Sequence, residues 1–226
     1  MTAKMLLLPL IIVALSVSYS VFTDSVKVSG QVTTSNLEWR YVDGSFEYGD
    51  YKLVNGEFNP QSPNIVGENL GTVNCDAEDI QNGATTFSCT ISNAYPGYGF
   101  YVDFKIKNTG EIPSKLKQIL VDCSGANCEQ NVAQSMRIAY RLSYNTTGGL
   151  QNENPDGGYI AGLTISQFAD NVTQKLSGKI FNKNGWIKFG GDEGNTIYFY
   201  FPYSSNPPQG ETLRFNITFV FTQFNS

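Results

Sequence analysis

Along most of this chain apolar and polar residues alternate one by one, the period of a β-strand with one buried and one wet face. The clearest run lies near the carboxyl end. Leu213, Phe215, Ile217, Phe219 and Phe221 share one face, and Arg214, Asn216, Thr218, Val220 and Thr222 share the other. Phe100, Val102, Phe104 and Ile106 form a second run, with Asp103, Lys105 and Lys107 facing away. Met136, Ile138, Tyr140, Leu142 and Tyr144 alternate with Arg137 and Arg141, and Ile119-Leu120-Val121 predicts a short strand after the break at Pro113. Ile197 to Phe201 carries aromatics on both faces, which predicts a central strand or one covered on both sides.

Turn residues punctuate these runs. Asp43-Gly44, between Leu37-Trp39-Tyr41 and Phe46-Tyr48, predicts a hairpin, and Asn55-Gly56 and Asn184-Gly185 mark two more. Residues 145–162, rich in Asn, Gly, Pro and Asp, predict a long surface loop. One segment breaks the rhythm: Ile165, Phe168, Ala169, Val172 and Leu176 follow helical spacing, with Ser166 as N-cap and Gly178 near the end. The pattern predicts an all-β sandwich with one short helix.

The amino end reads differently. A thin positive start at Lys4, an apolar run from Met5 to Val17 and the small residues Ser16, Ser18 and Ser20 make residues 1–20 a secretory signal. Cleavage before Val21 or before Tyr19 suits those serines. The run is shorter than the roughly 20 apolar residues a membrane span needs, so the mature form is expected to keep no span. Residues 21–34 follow at once and alternate like a strand, with Phe22, Val26, Val28 and Val32 on one face and Gly30 allowing close backbone approach. Residues 35–226 then form the sandwich domain. An extended segment at the start of a mature chain is able to complete the sheet of another molecule, or to fold back into its own.

Composition removes several function classes. The 15 Lys and Arg against 20 Asp and Glu leave the chain acidic, which argues against nucleic acid or an anionic membrane as partner. There is no histidine, so His-based acid–base catalysis and the commonest transition-metal ligand are excluded. Four cysteines in an exported chain read as disulfides: Cys75 with Cys89 and Cys123 with Cys128 are the local pairs, out of three possible pairings. Asn145, Asn171 and Asn216 open N-glycosylation sequons, Asn145 in an exposed Gly-rich turn, Asn216 pointing to solvent, and Asn171 just off the helical stripe. The acidic cluster Asp76, Glu78 and Asp79 reads as a solvated turn rather than a calcium loop, because it lacks calcium-loop spacing, and Asp192-Glu193 reads the same way. Neither a catalytic constellation nor a cofactor motif is present. Tyr95, Tyr98 and Tyr101 around Pro96-Gly97 offer a carbohydrate platform, although such tyrosines more often roof a β-sandwich. A Lys–Asn or Lys–Asp isopeptide cross-link is a further chemistry that the sequence does not locate.

Three blocks carry a family resemblance. Phe22-Thr23-Asp24 followed by Val28 to Leu37 resembles the start of the TasA/camelysin family of secreted fibre proteins. Tyr95-Pro96-Gly97 with Tyr101 to Gly110 is similar to that family's Pro-Gly, strand and Asn-x-Gly block, and Ile112 to Val121 to the strand after it. The end, Gly210 to Asn225, is similar to its last strand. These cover about a third of the chain, and archaeal bundling pili and thread-like filaments look closest. The resemblance implies a jelly-roll-like sandwich and head-to-tail polymerisation, in which residues around Phe22, Val26, Val28, Gly30 and Val32 fill a groove in a neighbouring subunit. It also implies a glycosylated extracellular homopolymer serving adhesion or biofilm formation. The protease activity described for camelysin is not implied, since this chain has no HExxH. The competing reading is a monomeric carbohydrate-binding module of the cell surface.

Overall fold

The computed structural model describes residues 36–53, 71–80, 83–124, 135–148, 159–190, 196–205, 207, 210 and 212–225. Phe22, Val26, Val28, Gly30 and Val32, the signal segment, Asn55-Gly56, Cys128 and Asp192-Glu193 lie outside the described residues. Among the described residues twelve strands and one helix form two antiparallel sheets packed as a sandwich, so the chain is an all-β sandwich with one short helix. The smaller sheet holds β3 (Thr72–Ile80), β4 (Ala84–Ser92), β12 (Thr212–Gln223) and β6 (Ser114–Ser124), in that order. The larger is built around β5 (Tyr98–Asn108), with β11 (Ile197–Tyr200) and β10 (Trp186–Phe189) along one edge. On the other edge run β1 (Trp39–Tyr41) and β2 (Glu47–Lys52). β11 continues to β7 (Arg137–Tyr140) and β9 (Ile160–Leu163), and β10 to β8 (Ser143–Asn145).

The alternating runs place the core between the sheets. Leu213, Phe215, Ile217, Phe219 and Phe221 are all buried, and they meet the buried even-numbered residues of β5. Phe100 stacks on Phe199 at 4.7 Å, while Phe104 meets Phe87 at 5.4 Å and Phe219 at 5.6 Å. Each such aromatic pair adds about 0.5–1.5 kcal/mol beyond the area it buries. β11, central between β5 and β7, is buried on both faces, as its aromatics predict.

Several expectations are corrected. Asp43-Gly44 does not turn a hairpin: β1 and β2 lie end to end along the same edge of β5, Tyr41 opposite Ile106 and Glu47 opposite Asp103. Residues 42–46 bow out between them, with Gly44 at φ +69°. The Ser45 hydroxyl fills the gap in the ladder, donating to the Lys105 carbonyl and accepting from the Lys105 N–H. Asp-Gly marked a turn correctly, but this turn is a bulge in one strand. The run from Met136 to Tyr144 is two strands, because the chain passes from β11 to β10 between Tyr140 and Ser143. The expected strand at Ile119 is the middle of β6, which starts directly after Pro113.

Asn184 does sit in a turn, at φ +69°, but Phe181 before it bridges Ser114 whereas β10 after it pairs with β5 and β8. The helix α1 (Ile165–Lys175) buries Ile165, Phe168, Ala169 and Val172. Its N-cap is Thr164, not Ser166, because Thr164 and Gln167 satisfy each other's backbone N–H groups in a capping box.

Candidate functional site at the open side of the sandwich

The two sheets have two long sides, and α1 closes one of them. It packs against β6 of the smaller sheet and beside β7 and β9 of the larger. Phe168 reaches Tyr140 edge-on at 5.2 Å, and the Tyr140 hydroxyl donates to Asn171 Oδ1 at 2.6 Å.

The opposite side has no such cover among the described residues. There β3 pairs only with β4, and β1 and β2 pair only with β5, so two strand edges run side by side in opposite directions. Side chains join them where a backbone ladder is missing. Asp79 Oδ1 accepts from the Tyr41 N–H at 2.8 Å, and Asp50 Oδ1 accepts from the Val73 N–H at 3.2 Å and the Tyr98 hydroxyl at 2.9 Å. Between these two links the Tyr48 hydroxyl donates to Asn74. Asp79 shares the inward register of Val73, Cys75 and Ala77, and Asp50 that of Tyr48. Inward-pointing charge on an edge strand is a recognised guard against unwanted pairing.

Residues of the 42–46 bulge and of β3 border a groove of about 290 Å³ lined by Tyr41, Val42, Asp43, Phe46, Asp76, Ala77 and Asp79. Leu37, Tyr41, Phe46, Val73 and Ala77 pack on the core but are only partly covered. Burial raises the Asp50 carboxyl above its ordinary value, while the hydrogen bonds from Tyr98 and Val73 pull the other way.

One end of this seam adjoins the point where the described chain begins. Asn108 is fully buried: its Nδ2 donates to the carbonyls of Ile112 and Phe181, and its Oδ1 accepts from the Gly110 N–H. The turn it holds clasps Glu38, whose carbonyl accepts from the N–H groups of Thr109 and Gly110. A Cβ on Gly110 would lie 2.3 Å from the Asn36 carbonyl oxygen, so only glycine lets the two backbones approach.

The remaining sequence candidates are dispersed. Cys75 and Cys89 are cross-strand partners and form a disulfide; Cys123 is also disulfide-bonded. Asp76, Glu78 and Asp79 lie on β3 rather than in a turn, because the segment between the cysteines is a hairpin. Among the described residues no group of three or more His, Cys, Asp or Glu is placed to hold a metal ion. Among those residues, too, no helix is long and apolar enough to cross a membrane.

The tyrosine platform does not assemble. Tyr98 is buried on the inner face of β5 against Tyr95, and Tyr101 points to the outer face, where its ring covers Gly49. Asn145, expected to be exposed, is 5% exposed within β8, and its Oδ1 accepts from Thr147 and Gly148 in a tight turn. Asn171 is half-buried on α1; Asn216 is half-buried on the outward face of β12, between Ser88 and Asp122.

Thr164 as a cap was readable from the spacing Thr-x-x-Gln. Asp50 and Asp79 as cross-sheet links were not, since nothing local to either predicts its partner. No family model, curated protein or solved structure matches the chain.

Proposed function

We propose that this protein is the structural subunit of an extracellular filament, exported by its amino-terminal signal and polymerised head to tail by strand donation. The observation that carries this reading is the side of the sandwich opposite α1, where two neighbouring strand edges are joined by side chains and the core is only partly covered. The sequence supplies a matching element in residues 21–34, apolar at every second or fourth position. A strand given by one copy to the next adds main-chain hydrogen bonds and apolar anchors together. Such head-to-tail contacts do not close on themselves and so give fibres.

The resemblance to TasA/camelysin proteins and archaeal bundling pili supports the same reading, as do the disulfides, which suit an oxidising compartment. Among the sequons, Asn216 is the glycan site this reading favours, because it lies on the outward face of β12 with only its Oδ1 enclosed. Asn145 is not, since its amide is enclosed. Deleting residues 21–33 is expected to give a soluble, folded monomer that forms no filaments by negative-stain microscopy. Filaments from that truncation would overturn the proposal.

A further inference from the structure

We infer that Asp50 and Asp79 are latches that hold the seam shut in the free subunit, and that residues 22–32 of a second copy seat there by displacing them. This rests on the strand-donation reading and adds to it the place of acceptance and the contacts that resist it.

The two carboxylates stand at opposite ends of the seam. Each satisfies a backbone N–H on the opposing edge, Tyr41 on one side and Val73 on the other. A strand lying between the edges offers carbonyl groups to those same donors, so the latches and the incoming strand compete for them. Between the latches the bulge borders a groove, with Phe46 and Ala77 in its wall. An apolar, extended segment laid there would finish covering Leu37, Tyr41, Phe46, Val73 and Ala77, which are only partly buried.

Residues 22–32 have that character. Phe22, Val26, Val28 and Val32 share one face with Asp24 and Gly30, and eleven residues span about 36 Å as a strand, longer than β3 with its nine. Lys27 falls on the other face. On β3 the outward face carries Asp76 and Glu78, which suits that cation.

A second copy is favoured over the chain's own segment by the turn that self-insertion needs. The described chain enters at Asn36, clasped at Glu38 by the Asn108–Gly110 turn, and Leu37 lies against Gly83 just past the end of β3. Entry is thus at the Asp79 end of the seam. To return into its own groove the chain must reverse within Thr33-Thr34-Ser35-Asn36, which contains neither glycine nor proline. Two-residue hairpin turns call for positive φ, which β-branched Thr33 and Thr34 resist.

The test mixes two forms of the full mature chain. One carries a photo-cross-linking amino acid in place of Val28; the other is isotopically heavy and otherwise wild type. Cross-links from residue 28 to residues 41–50 or 73–79 of the heavy chain, in samples that form filaments, are the expected result. Filaments whose cross-links fall elsewhere, for instance on β6, overturn the seat while leaving strand donation standing. Samples without filaments and with cross-links only inside one chain overturn both.

The latches are tested by elongation rate. Asp79→Asn and Asp50→Asn each weaken a charge-assisted hydrogen bond and are expected to speed growth about tenfold. Asp170→Asn, which removes an exposed carboxylate from α1 on the opposite side of the sandwich, is the control and should leave the rate unchanged. Near-wild-type circular dichroism establishes that each variant is folded. Folded latch variants that elongate at the wild-type rate would remove the latch.

Discussion

The two long sides of this sandwich solve the same problem by different means. On one, α1 lays Ile165, Phe168 and Val172 over the gap and the core is shut by apolar burial. On the other, β3 faces β1 and β2 through two carboxylates and a tyrosine hydroxyl, and the apolar residues there stay half-covered. Burial is cooperative and hard to undo locally, because every removed group leaves a cavity. Hydrogen bonds from side chains at a wet edge exchange with water or with another backbone at little net cost. The first side is therefore fixed by packing, and the second is held by bonds that water or another backbone can replace.

The contrast is broken most forcefully by truncating one aromatic on each side. Phe168→Ala is expected to cost about 3–5 kcal/mol, the range for a fully buried aromatic. Phe46→Ala, half-covered in the groove, should cost only about 1–2 kcal/mol. Equal losses in urea unfolding would show that the seam is as well packed as the helical side. Gly110→Ala comes next, at about 1–3 kcal/mol, because its methyl group must push back the Asn36 carbonyl and the Glu38 N–H. Chemical denaturation measures that loss, and amide exchange at Thr109 should rise with it.

Two smaller effects sharpen the comparison. Thr164→Ala removes half of the capping box and should cost about 1 kcal/mol in thermal unfolding, leaving Val73 and Tyr41 amide shifts untouched. The smallest effect is a pH dependence at the seam. Because the folded Asp50 carboxyl lies above its ordinary value of 3.8, the folded state holds that proton more tightly than the unfolded chain. Its contribution is fully present below the ordinary value and is lost as pH rises through the raised one. Stability should therefore fall slightly over that window, and Asp50→Asn should abolish the slope. Carbon-detected titration of the Asp50 carboxyl gives the midpoint directly; one at or below 3.8 would contradict the assignment.

The strands and their inward faces were legible because burial imposes a period of two that any reader of the chain can follow. β12 came out with every core residue named, β5 with all but Tyr98, and α1 with its buried stripe. What misled was connectivity. Asp43-Gly44 carries a hairpin signature, yet whether a turn reverses a strand or only interrupts it depends on which strand lies beside it. Here that is β5, distant in sequence. The same holds for Tyr95, Tyr98 and Tyr101, whose spacing suggests one surface until the Pro96-Gly97 turn, with Gly97 at φ +90°, feeds Tyr98 into the core. Asn145 looked exposed because its neighbours are turn formers, but its own side chain organises that turn and is enclosed by it. The seam itself left no local trace: Asp50 and Asp79 are ordinary acidic residues until the sheets meet.

The clasp at Gly110 has a mechanical consequence. Residue 36 leads straight into β1, which lies antiparallel along the Asn108 end of β5 and continues, past the bulge, as β2. A pull on residue 36 along the axis of β1 loads the rungs of that ladder side by side, so that they must give way together. A pull across the axis would open them one after another, beginning at the Thr109 and Gly110 N–H bonds to Glu38. The domain is thus stiff to tension in one direction and weak in the other, and its lifetime under load is set by the rate of unfolding and not by its equilibrium stability.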